Sequence, residues 1–497
     1  MKNEFIKIHD RDNVAVALKS VAGKSLTAIE GQEIFVGEDI PFGHKIALED
    51  IGEGGQIYKY GFSIGHATAP IRKGEWVHSH NLKTNLDGLL TYTYEPSIRK
   101  EAVTGDISRT FQGYERSGGS VGTRNEIWVI PTVSCVNHTV SLLAGEAKER
   151  YGSLCDGIFA YPHNAGCSQM GEDFVRTQKL LAGIVHHPNA GGVLIVSLGC
   201  ENNDLEHFLP VLGELDRERV RFLVIQDVED ELEEGLRLIG EIAEKLKGDQ
   251  RTTVPVSRLK LAFKCGGSDA FSGVTANPLC GRISDRITAL GGSAVLTEVP
   301  EMFGAETILM NRADSGETFD KVVGLINGFK QYYMDHGQPV YENPSPGNKR
   351  GGITTLEEKS LGCIQKGGQA TVTGTLDYGE ICAKPGLNLL TGPGNDSVSV
   401  TNLLSCGAQL LLFTTGRGNP LGTAIPTIKI ASNGQLYERK QNWIDYNAGC
   451  ILDGKTFEEA ADELWEQVIA TASGVTSTKN ERYGYREIMI FKDGVML

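Results

Sequence analysis

The chain has 497 residues, of which 40% are hydrophobic and 22% are charged, and its formal net charge is −15. This balance is typical of a globular protein, and the length allows a large α/β region with a smaller domain beside it. The acidic charge argues against nucleic acid and an anionic membrane surface as partners, because both require a surplus of Lys and Arg, whereas a small acidic ligand needs only a few local basic groups.

The N-terminus shows no sign of a targeting segment. Residues 1–5 are charged and lack the apolar stretch of a secretory leader. The longest apolar runs, such as residues 192–198, are far too short to span a bilayer. We therefore expect a cytoplasmic protein that has no membrane partner.

Residues 1–96 are predicted to form a small all-β domain. Short strand-forming runs are separated by Gly, Pro and Asp, and no stretch has the length and period of a helix apart from a turn near residues 13–20. The pattern is typical of a small barrel or β-clip. Residues 97–112 are polar and aperiodic, and are predicted to be a linker.

From residue 113 onward the pattern alternates between strands and helices. Nearly continuous apolar runs indicate parallel strands that are buried on both faces. They lie at residues 127–133, 157–161, 193–198, 221–225, 259–263, 294–297, 409–413 and 427–430. The alternation predicts an α/β region with a doubly wound parallel sheet over residues 113–497, which could divide into lobes of about 113–250 and 251–497. Within it, the Pro- and Gly-rich residues 341–352 are predicted to form an ordered loop.

In an open parallel sheet, ligands bind at the carboxyl ends of the strands. Four of the ten cysteines follow predicted strands, together with a histidine. Because thiolate and imidazole bind iron and zinc, a metal site is predicted from Cys135, His163, Cys167, Cys200 and Cys265. The alternative is that each cysteine binds no metal and packs as a small, buried hydrophobic side chain. A mononuclear iron would prefer His and oxygen ligands, whereas three or four thiolates would suit an iron–sulfur cluster, and both alternatives stay open.

Other polar residues near strand ends and turns are candidates for substrate binding and catalysis. The glycine-rich turn at residues 265–269 exposes backbone N–H groups that can bind a carboxylate. The predicted substrate-binding residues are Gly266, Gly267, Ser268, Asp269, Asn202, His44, His78 and His80. The predicted catalytic residues are His163 and Glu301 as bases, with Arg124 and Arg417 as anchors for a carboxylate.

The histidines of the N-terminal domain could close over the site. The alternative is that they are simply exposed histidines at the edge of a sheet. A nicotinamide dehydrogenase is disfavoured, because no well-placed GxGxxG follows the first strand of the large region.

Eight segments together resemble the altronate/galactarate dehydratase family. They are KIHDRDNVAVAL (7–18), GHKIAL (43–48), GEWVHSHN (74–81), VGTRNE (121–126), CGGSDAFSG (265–273), TEVPEMFGAE (297–306), ENPSPGNKRGGITTLEEKSLGC (342–363) and FTTGRGNP (413–420). The match runs through almost the whole chain, and CGGSD and ENPSPGNK are its most specific motifs. The resemblance implies an N-terminal β-clip (SAF-like) domain, a linker and a Rossmann-like catalytic region.

The resemblance also implies a reaction and a cofactor. The implied activity is a hydro-lyase that converts D-altronate to 2-dehydro-3-deoxy-D-gluconate and water in hexuronate catabolism. It implies Fe²⁺, for which Mn²⁺ could substitute, and a reducing environment. The expected partner is a sugar-acid substrate, and the expected assembly is a homo-oligomer, most simply a dimer.

Other functions stay open from the sequence. One alternative enzyme is a galactarate dehydratase, and another is a related sulfo-lyase that expels a different leaving group. A non-enzymatic sugar-acid sensor is also an alternative, but cysteines at the strand ends argue against it, because recognition alone needs no thiolate.

Overall fold

A computed structural model describes residues 4–99 and 107–496. Residues 100–106 of the predicted linker lie outside the described residues. The described chain forms a small all-β domain followed by two units that are each built on a parallel sheet.

The N-terminal domain is built from short antiparallel strands. They are β1 (Phe5–Ile6), β2 (Val14–Ala17), β3 (Ser25–Ile29), β4 (Gln32–Val36), β5 (Lys45–Ala47), β6 (Gln56–Lys59), β7 (Phe62–Ala67), β8 (Trp76–Val77) and β9 (Leu82–Lys83). They pair in the orders β1–β2–β5–β8, β3–β4 and β6–β7–β9. Ile29, Ile34 and Val36 point into the core, while the residues between them stay exposed. The predicted all-β domain is therefore confirmed.

Strand β2 lies where the sequence indicates only a turn. All four of its residues are buried, because Ala15 and Ala17 pack in the domain's own core and Val16 packs against Phe271 of the large region. A strand that is covered on both faces has no alternation of polar and apolar residues, so its pattern does not stand out.

The first parallel sheet follows two short antiparallel strands, β10 (Thr110–Glu115) and β11 (Val121–Gly122). Strand β10 occupies the end of the predicted linker, where it pairs with Thr252–Pro255 and so ties the two units together. The elements of the first unit are β12 (Glu126–Pro131), α1 (Asn137–Tyr151), β13 (Gly157–Ala160), α2 (Gly171–Val185), β14 (Ala190–Ser197), α3 (Leu205–Leu212), β15 (Val220–Val224) and α4 (Glu231–Leu246). Their strand order is β13–β12–β14–β15, all parallel.

The second parallel sheet has seven strands, in the order β19–β20–β18–β17–β21–β22–β23. The strands that form or precede it are β16 (Thr252–Pro255), β17 (Lys260–Cys265), β18 (Ser293–Leu296), β19 (Val372–Leu376), β20 (Gly386–Leu390), β21 (Leu410–Thr415), β22 (Thr427–Ala431) and β23 (Tyr446–Asn447). The helices around it are α5 (Ala276–Ala289), α6 (Glu306–Met310), α7 (Gly316–Asp335), α8 (Pro346–Arg350), α9 (Leu356–Cys363), α10 (Asp396–Ser405), α11 (Gly434–Arg439), α12 (Phe457–Ala472) and α13 (Lys479–Tyr483).

All eight predicted strands of the large region are confirmed, with ends that differ by three residues at most. The α/β class with a parallel sheet is confirmed with them. The sequence does not predict β19 and β20, because Gly374 interrupts the apolar run of β19 and Asn388 interrupts that of β20. Among the described helices, none is long and apolar enough to cross a bilayer.

The predicted loop at residues 341–352 contains the short helix α8. Ser345 caps it by accepting from the backbone N–H of Asn348, whose side chain in turn accepts from the N–H of Ser345. Pro346 occupies the first turn, where no backbone N–H is needed. Composition indicates a loop, but this local cap is sufficient for one helical turn.

A buried ion cluster fastens the N-terminal domain to the large region. Lys45 Nζ and Lys59 Nζ lie 2.9 and 2.7 Å from the carboxylate oxygens of Glu358 in α9. All three side chains are almost completely buried, and Thr354 also donates to this carboxylate. The two ammonium groups hold the pKa of Glu358 far below its usual range against the effect of burial.

We expect Glu358→Ala to lower the free energy of unfolding by about 3–5 kcal/mol, because it leaves two buried ammonium groups without their counterion. Chemical denaturation would measure the change. The control is Glu317→Ala, which removes an exposed ion pair with Lys321 in α7 and should cost less than about 1 kcal/mol. Equal losses in the two variants would show that the buried cluster does not stabilise the domain contact.

Candidate active site

Four side chains that could bind a metal ion converge at the carboxyl edge of the seven-stranded sheet. The potential ligand atoms of Cys265, Glu298, Glu301 and Cys363 all lie within 4.8 Å of one another, and all four residues are buried. Cys265 ends β17, the two glutamates follow β18, and Cys363 ends α9. The two sulfur atoms are 3.6 Å apart, and Cys265 Sγ is 3.5 Å from Glu301 Oε2.

Glu298 is held in the left-handed region of backbone conformation, with φ +67°. A residue with a side chain adopts this conformation only when its surroundings fix it. Its carboxylate accepts from Lys264 Nζ and from the backbone N–H of Cys265, and it lies 3.1 Å from Lys366 Nζ. The turn after β18 is therefore shaped to bring this carboxylate over the end of β17.

Two buried lysines, Lys264 and Lys366, and the half-buried Lys359 neutralise the group. Lys366 Nζ lies 2.8 Å from Cys363 Sγ and 3.1 Å from Cys265 Sγ. Lys264 Nζ bridges Glu298 and Asp396. Burial by itself lowers the pKa of Lys366, but the adjacent thiols and carboxylates outweigh burial and raise it well above the usual value. Asp396 and Glu298 likewise outweigh burial and raise the pKa of Lys264, so both lysines remain charged.

Lys359 faces the same group from α9. Its Nζ lies 2.8 Å from Glu301 Oε1 and 3.0 Å from Asn343 Oδ1. Burial raises the pKa of Glu301, but the charges of Lys359, Lys264 and Lys366 outweigh it and lower the pKa. Glu301 is therefore an ionised carboxylate, which makes it a good metal ligand and a weak base.

The donor set fits a single divalent transition-metal ion. It combines two thiols and two carboxylates at the mutual spacing that one small cation can bridge, and thiolates select transition metals over hard cations. An iron–sulfur cluster takes three or four cysteine ligands, whereas only two cysteines of the described chain belong to this group. The arrangement therefore favours a mononuclear ion.

Two cavities meet at this edge. A narrow cavity of about 10 Å³ is lined by Cys265, Cys363, Lys359 and Asp269, among others. A wider cavity of about 370 Å³ lies beside it and is lined by Asp269, Arg350, Arg417 and Arg439, among others. Asp269 is the residue common to both cavity linings. Burial raises the pKa of its carboxyl group, although Ser432, Ser272 and Asn433 donate to it.

The glycine-rich turn packs tightly beneath these cavities. A side chain at Gly266 would lie 2.5 Å from Asp396 Oδ2 and 2.6 Å from Phe413 Cζ, so only glycine fits there. The backbone N–H of Gly266 donates to Thr414, and Gly267 O accepts from the N–H groups of Gly416 and Arg417. These contacts hold the turn against β21 and place Ser268 and Asp269 at the cavities.

Of the ligands predicted from sequence, the structure brings only Cys265 into this group. Cys135 and Cys200 are exposed, Cys167 is half-buried, and none of them belongs to a group of three potential ligands within residues 4–99 and 107–496. These three cysteines follow strands of the other parallel sheet. The strand-end rule applies to both sheets and cannot tell which edge holds the site.

His163 is not placed to bind a metal ion or to act as a base. Its Nε2 donates to Pro131 O at 2.7 Å, and its Nδ1 accepts from the N–H of Ala165 at 3.2 Å. Burial lowers its pKa to about 4. With both ring nitrogens occupied, His163 fixes the loop after β13.

Arg124, predicted as a catalytic anchor for a carboxylate, and Asn202, predicted to bind the substrate, both make structural contacts instead. Arg124 is buried, pairs with Glu481 at 2.7 Å and donates to Thr471 O, so it ties the first unit to the C-terminal segment. Asn202 accepts from the N–H of Ser168 at 2.7 Å in the first unit. Neither residue lines the two cavities at the Cys265 group.

The predicted histidines of the N-terminal domain contact the segment that contains α8. His78 Nε2 lies 2.9 Å from Lys349 O, and His44 Nε2 lies 3.3 Å from Arg350 O. Because Trp76 donates to His44 Nδ1, the proton of the neutral ring must be on Nε2, which then donates to Arg350. His80 packs against the ring of Trp76, with ring centroids 5.1 Å apart.

Comparison with known proteins agrees with this architecture. Residues 3–85 match the altronate/galactarate dehydratase SAF domain, residues 113–247 match the second domain of D-galactarate dehydratase/altronate hydrolase, and residues 256–496 match the C-terminal domain of D-galactarate/altronate dehydratase.

Relatives that match over their full length are altronate and galactarate dehydratases. The chain is 50% identical to the altronate dehydratase of Bacillus subtilis, with 99% of each chain covered, and 46% identical to that of Escherichia coli, with 99% and 100% covered. It is 34% identical to the galactarate dehydratase (L-threo-forming) of Escherichia coli, with 98% and 96% covered.

The chain belongs to the altronate/galactarate dehydratase family. It is accordingly a hydro-lyase, and its N-terminal domain is a SAF domain, as the sequence resemblance implies.

We expect the contact between the SAF domain and α8 to weaken as the pH falls. Burial lowers the pKa of His44, and it lowers that of His78 to about 4. The folded protein thus keeps both rings neutral, whereas the unfolded chain binds protons below about pH 6.5. The stabilising contribution is full above that pH and declines as the pH falls towards 4.

Denaturation at pH 7 and pH 5 would check this expectation against the double variant His44→Gln/His78→Gln. Glutamine retains an N–H donor but does not titrate in this range. The wild type should lose more free energy of unfolding between the two pH values than the double variant loses. The same pH dependence in both proteins would contradict the assignment.

Proposed function

We propose that this chain dehydrates D-altronate to 2-dehydro-3-deoxy-D-gluconate, with Fe²⁺ bound by Cys265, Glu298, Glu301 and Cys363. One observation carries the proposal. The group of two thiols and two carboxylates lies buried at the edge of the sheet where substrates of α/β enzymes bind. The identity of Fe²⁺ rests on the family resemblance, and the ligand set supports a mononuclear ion.

The reaction removes a proton from C2 and a hydroxyl group from C3 of the acid. The C2 proton is poorly acidic, because the adjacent carboxylate is already negative. The enol that is formed becomes the 2-keto product by losing the proton of its C2 hydroxyl group and taking up a proton at C3. A divalent ion in the group would supply Lewis-acid stabilisation to the substrate oxygens that it contacts.

Asp269 is the proposed base for the C2 proton. It lines both cavities, and the raised pKa of its carboxyl group brings it closer to the value that a general base needs. Its Oδ2 accepts a single hydrogen bond, from Asn433, and so retains capacity for a proton. Glu301, the base predicted from sequence, is reassigned in this proposal to metal binding.

Lys359 is the proposed acid. Burial lowers the pKa of its ammonium group, but Glu301 and the neighbouring thiols outweigh burial and raise the pKa, so a proton is available. Glu301 and Asn343 fix its Nζ at the narrow cavity. Transfer of this proton to the departing C3 hydroxyl releases water. The two thiols are 3.6 Å apart and require a reducing compartment, for which we propose the cytoplasm.

We expect the purified protein, supplied anaerobically with Fe²⁺, to form a 2-keto-3-deoxy acid from D-altronate faster than from galactarate. Asp269→Asn should lower kcat by roughly 10²- to 10⁴-fold, because the base is lost. The matched control is Asp173→Asn, which replaces a buried aspartate that accepts backbone N–H bonds in the first unit. The control should keep nearly full activity. Faster turnover of galactarate would assign the chain to that substrate, and no product from any aldonic or aldaric acid would refute the function.

Metal analysis after anaerobic reconstitution would test the proposed ligands. We expect about one iron per chain in the wild type and a large loss in Cys265→Ser and in Cys363→Ser. Cys135→Ser and Cys200→Ser serve as controls and should retain the iron, since both thiols are exposed and lie outside the group. Loss of iron in the two control variants alone would place the metal ion at the other sheet.

A further inference from the structure

The wider cavity is lined by three arginines that come from separate parts of the chain. Arg417 follows β21, Arg439 ends α11, and Arg350 ends α8. The cavity therefore opens at the carboxyl ends of β21 and β22, one strand away from Cys265. Its volume of about 370 Å³ admits a six-carbon acid, whereas the narrow cavity, at about 10 Å³, has room for no more than an ion or a water molecule.

The three guanidinium groups have no partner among the residues that the structure describes. All three side chains are exposed to solvent at the cavity, and none of them takes part in an ion pair or a side-chain hydrogen bond there. One carboxylate, that of Asp269, lines the cavity, and it already accepts from Ser272, Ser432 and Asn433. In a protein with a net charge of −15, this concentration of unpaired positive charge is suited to a carboxylate ligand.

The SAF domain completes this cavity. Four successive backbone carbonyl groups, those of residues 349–352, each accept a hydrogen bond. The His78 side chain donates to Lys349 O, the His44 side chain to Arg350 O, the backbone N–H of Ala270 to Gly351 O, and the Lys45 side chain to Gly352 O. Three of these donors belong to the SAF domain. They fix the end of α8 and with it Arg350, while Phe42 of the same domain forms part of the cavity wall.

We propose that Arg350, Arg417 and Arg439 bind the C1 carboxylate of the substrate and so set the direction in which the acid enters. The proposal rests on the proposed function. The protein groups follow one another along the sheet edge in the same order as the substrate atoms that they contact. The arginines bind the C1 carboxylate, and Asp269 takes the proton from C2. The narrow cavity, with Lys359 and the Cys265 group, holds the hydroxyl group of C3. The guanidinium groups also stabilise the negative charge that builds up on the carboxylate when the C2 proton leaves.

Direct binding to the full-length, iron-loaded protein tests the proposal by calorimetry. The probes are D-altronate, its neutral polyol altritol, and inorganic sulfate. Wild-type protein should bind D-altronate much more tightly than altritol, and sulfate should compete with D-altronate. Arg350→Gln, Arg417→Gln and Arg439→Gln should each weaken D-altronate binding by about 10- to 100-fold, as the loss of a charged hydrogen bond would.

Two further readouts separate binding from structure. The KM for D-altronate should rise more than kcat falls in these variants, and Arg→Lys at each position should restore part of the affinity. The control is Arg150→Gln, which removes an exposed arginine of α1 and should leave binding unchanged. Equal affinity for D-altronate and altritol would overturn the proposal, and so would full affinity in the three glutamine variants.

The anion site and the proposed function can fail separately. Arginine-dependent binding of D-altronate or sulfate without formation of a 2-keto-3-deoxy product would support the anion site and overturn the function. Product formation that is unaffected by the three substitutions would support the function and overturn the anion site.

Discussion

The site depends on the balance of charge in one buried cluster. Taking a carboxylate or an ammonium group out of water costs several kcal/mol, and only close, well-paired neighbours offset that cost. Glu301 remains ionised because Lys359, Lys264 and Lys366 outweigh the effect of burial on its pKa, and the last two of these lysines also pair with Glu298. Lys366 in turn approaches both sulfurs. Lys366 lowers the pKa of the Cys363 thiol, but the contact with Cys265 and burial outweigh this effect and raise the pKa, so a bound metal ion would have to displace the proton of this thiol.

Helix α9 and the turn that follows it connect this cluster to the SAF domain. Lys359, Cys363 and Lys366 are spaced by four and three residues, so they share one face of the helical segment, which points at the site. Glu358, directly before Lys359, points instead to Lys45 and Lys59 of the SAF domain. A single turn of helix thus carries both the anchor of the small domain and the proposed acid.

The sequence predicts the fold better than it predicts the site. Apolar runs bounded by Gly and Pro locate the parallel strands, because strands covered on both faces must be apolar throughout. The rule that ligands bind at strand ends selects Cys265 and Asp269, and both residues line the narrow cavity. It does not find Cys363, which ends a helix, and it gives equal weight to Cys200, which follows a strand of the other sheet. Which of two sheet edges gathers ligands is decided by tertiary packing, and the spacing of residues along the chain does not encode it.

The contacts to residues 349–352 explain why a small β domain accompanies the catalytic region. A segment with two prolines and several glycines has little intrinsic preference for one conformation. Here, three carbonyl groups of this segment are bound by side chains of the SAF domain, and the carbonyl of Gly351 is bound by the turn that carries Asp269. The position of Arg350 is thus fixed jointly by the domain that covers the site and by the turn that carries the proposed base. Docking of the SAF domain would therefore complete the walls of both cavities in the same step, since Phe42 of this domain lines the wider cavity and Tyr60 lines the narrow one.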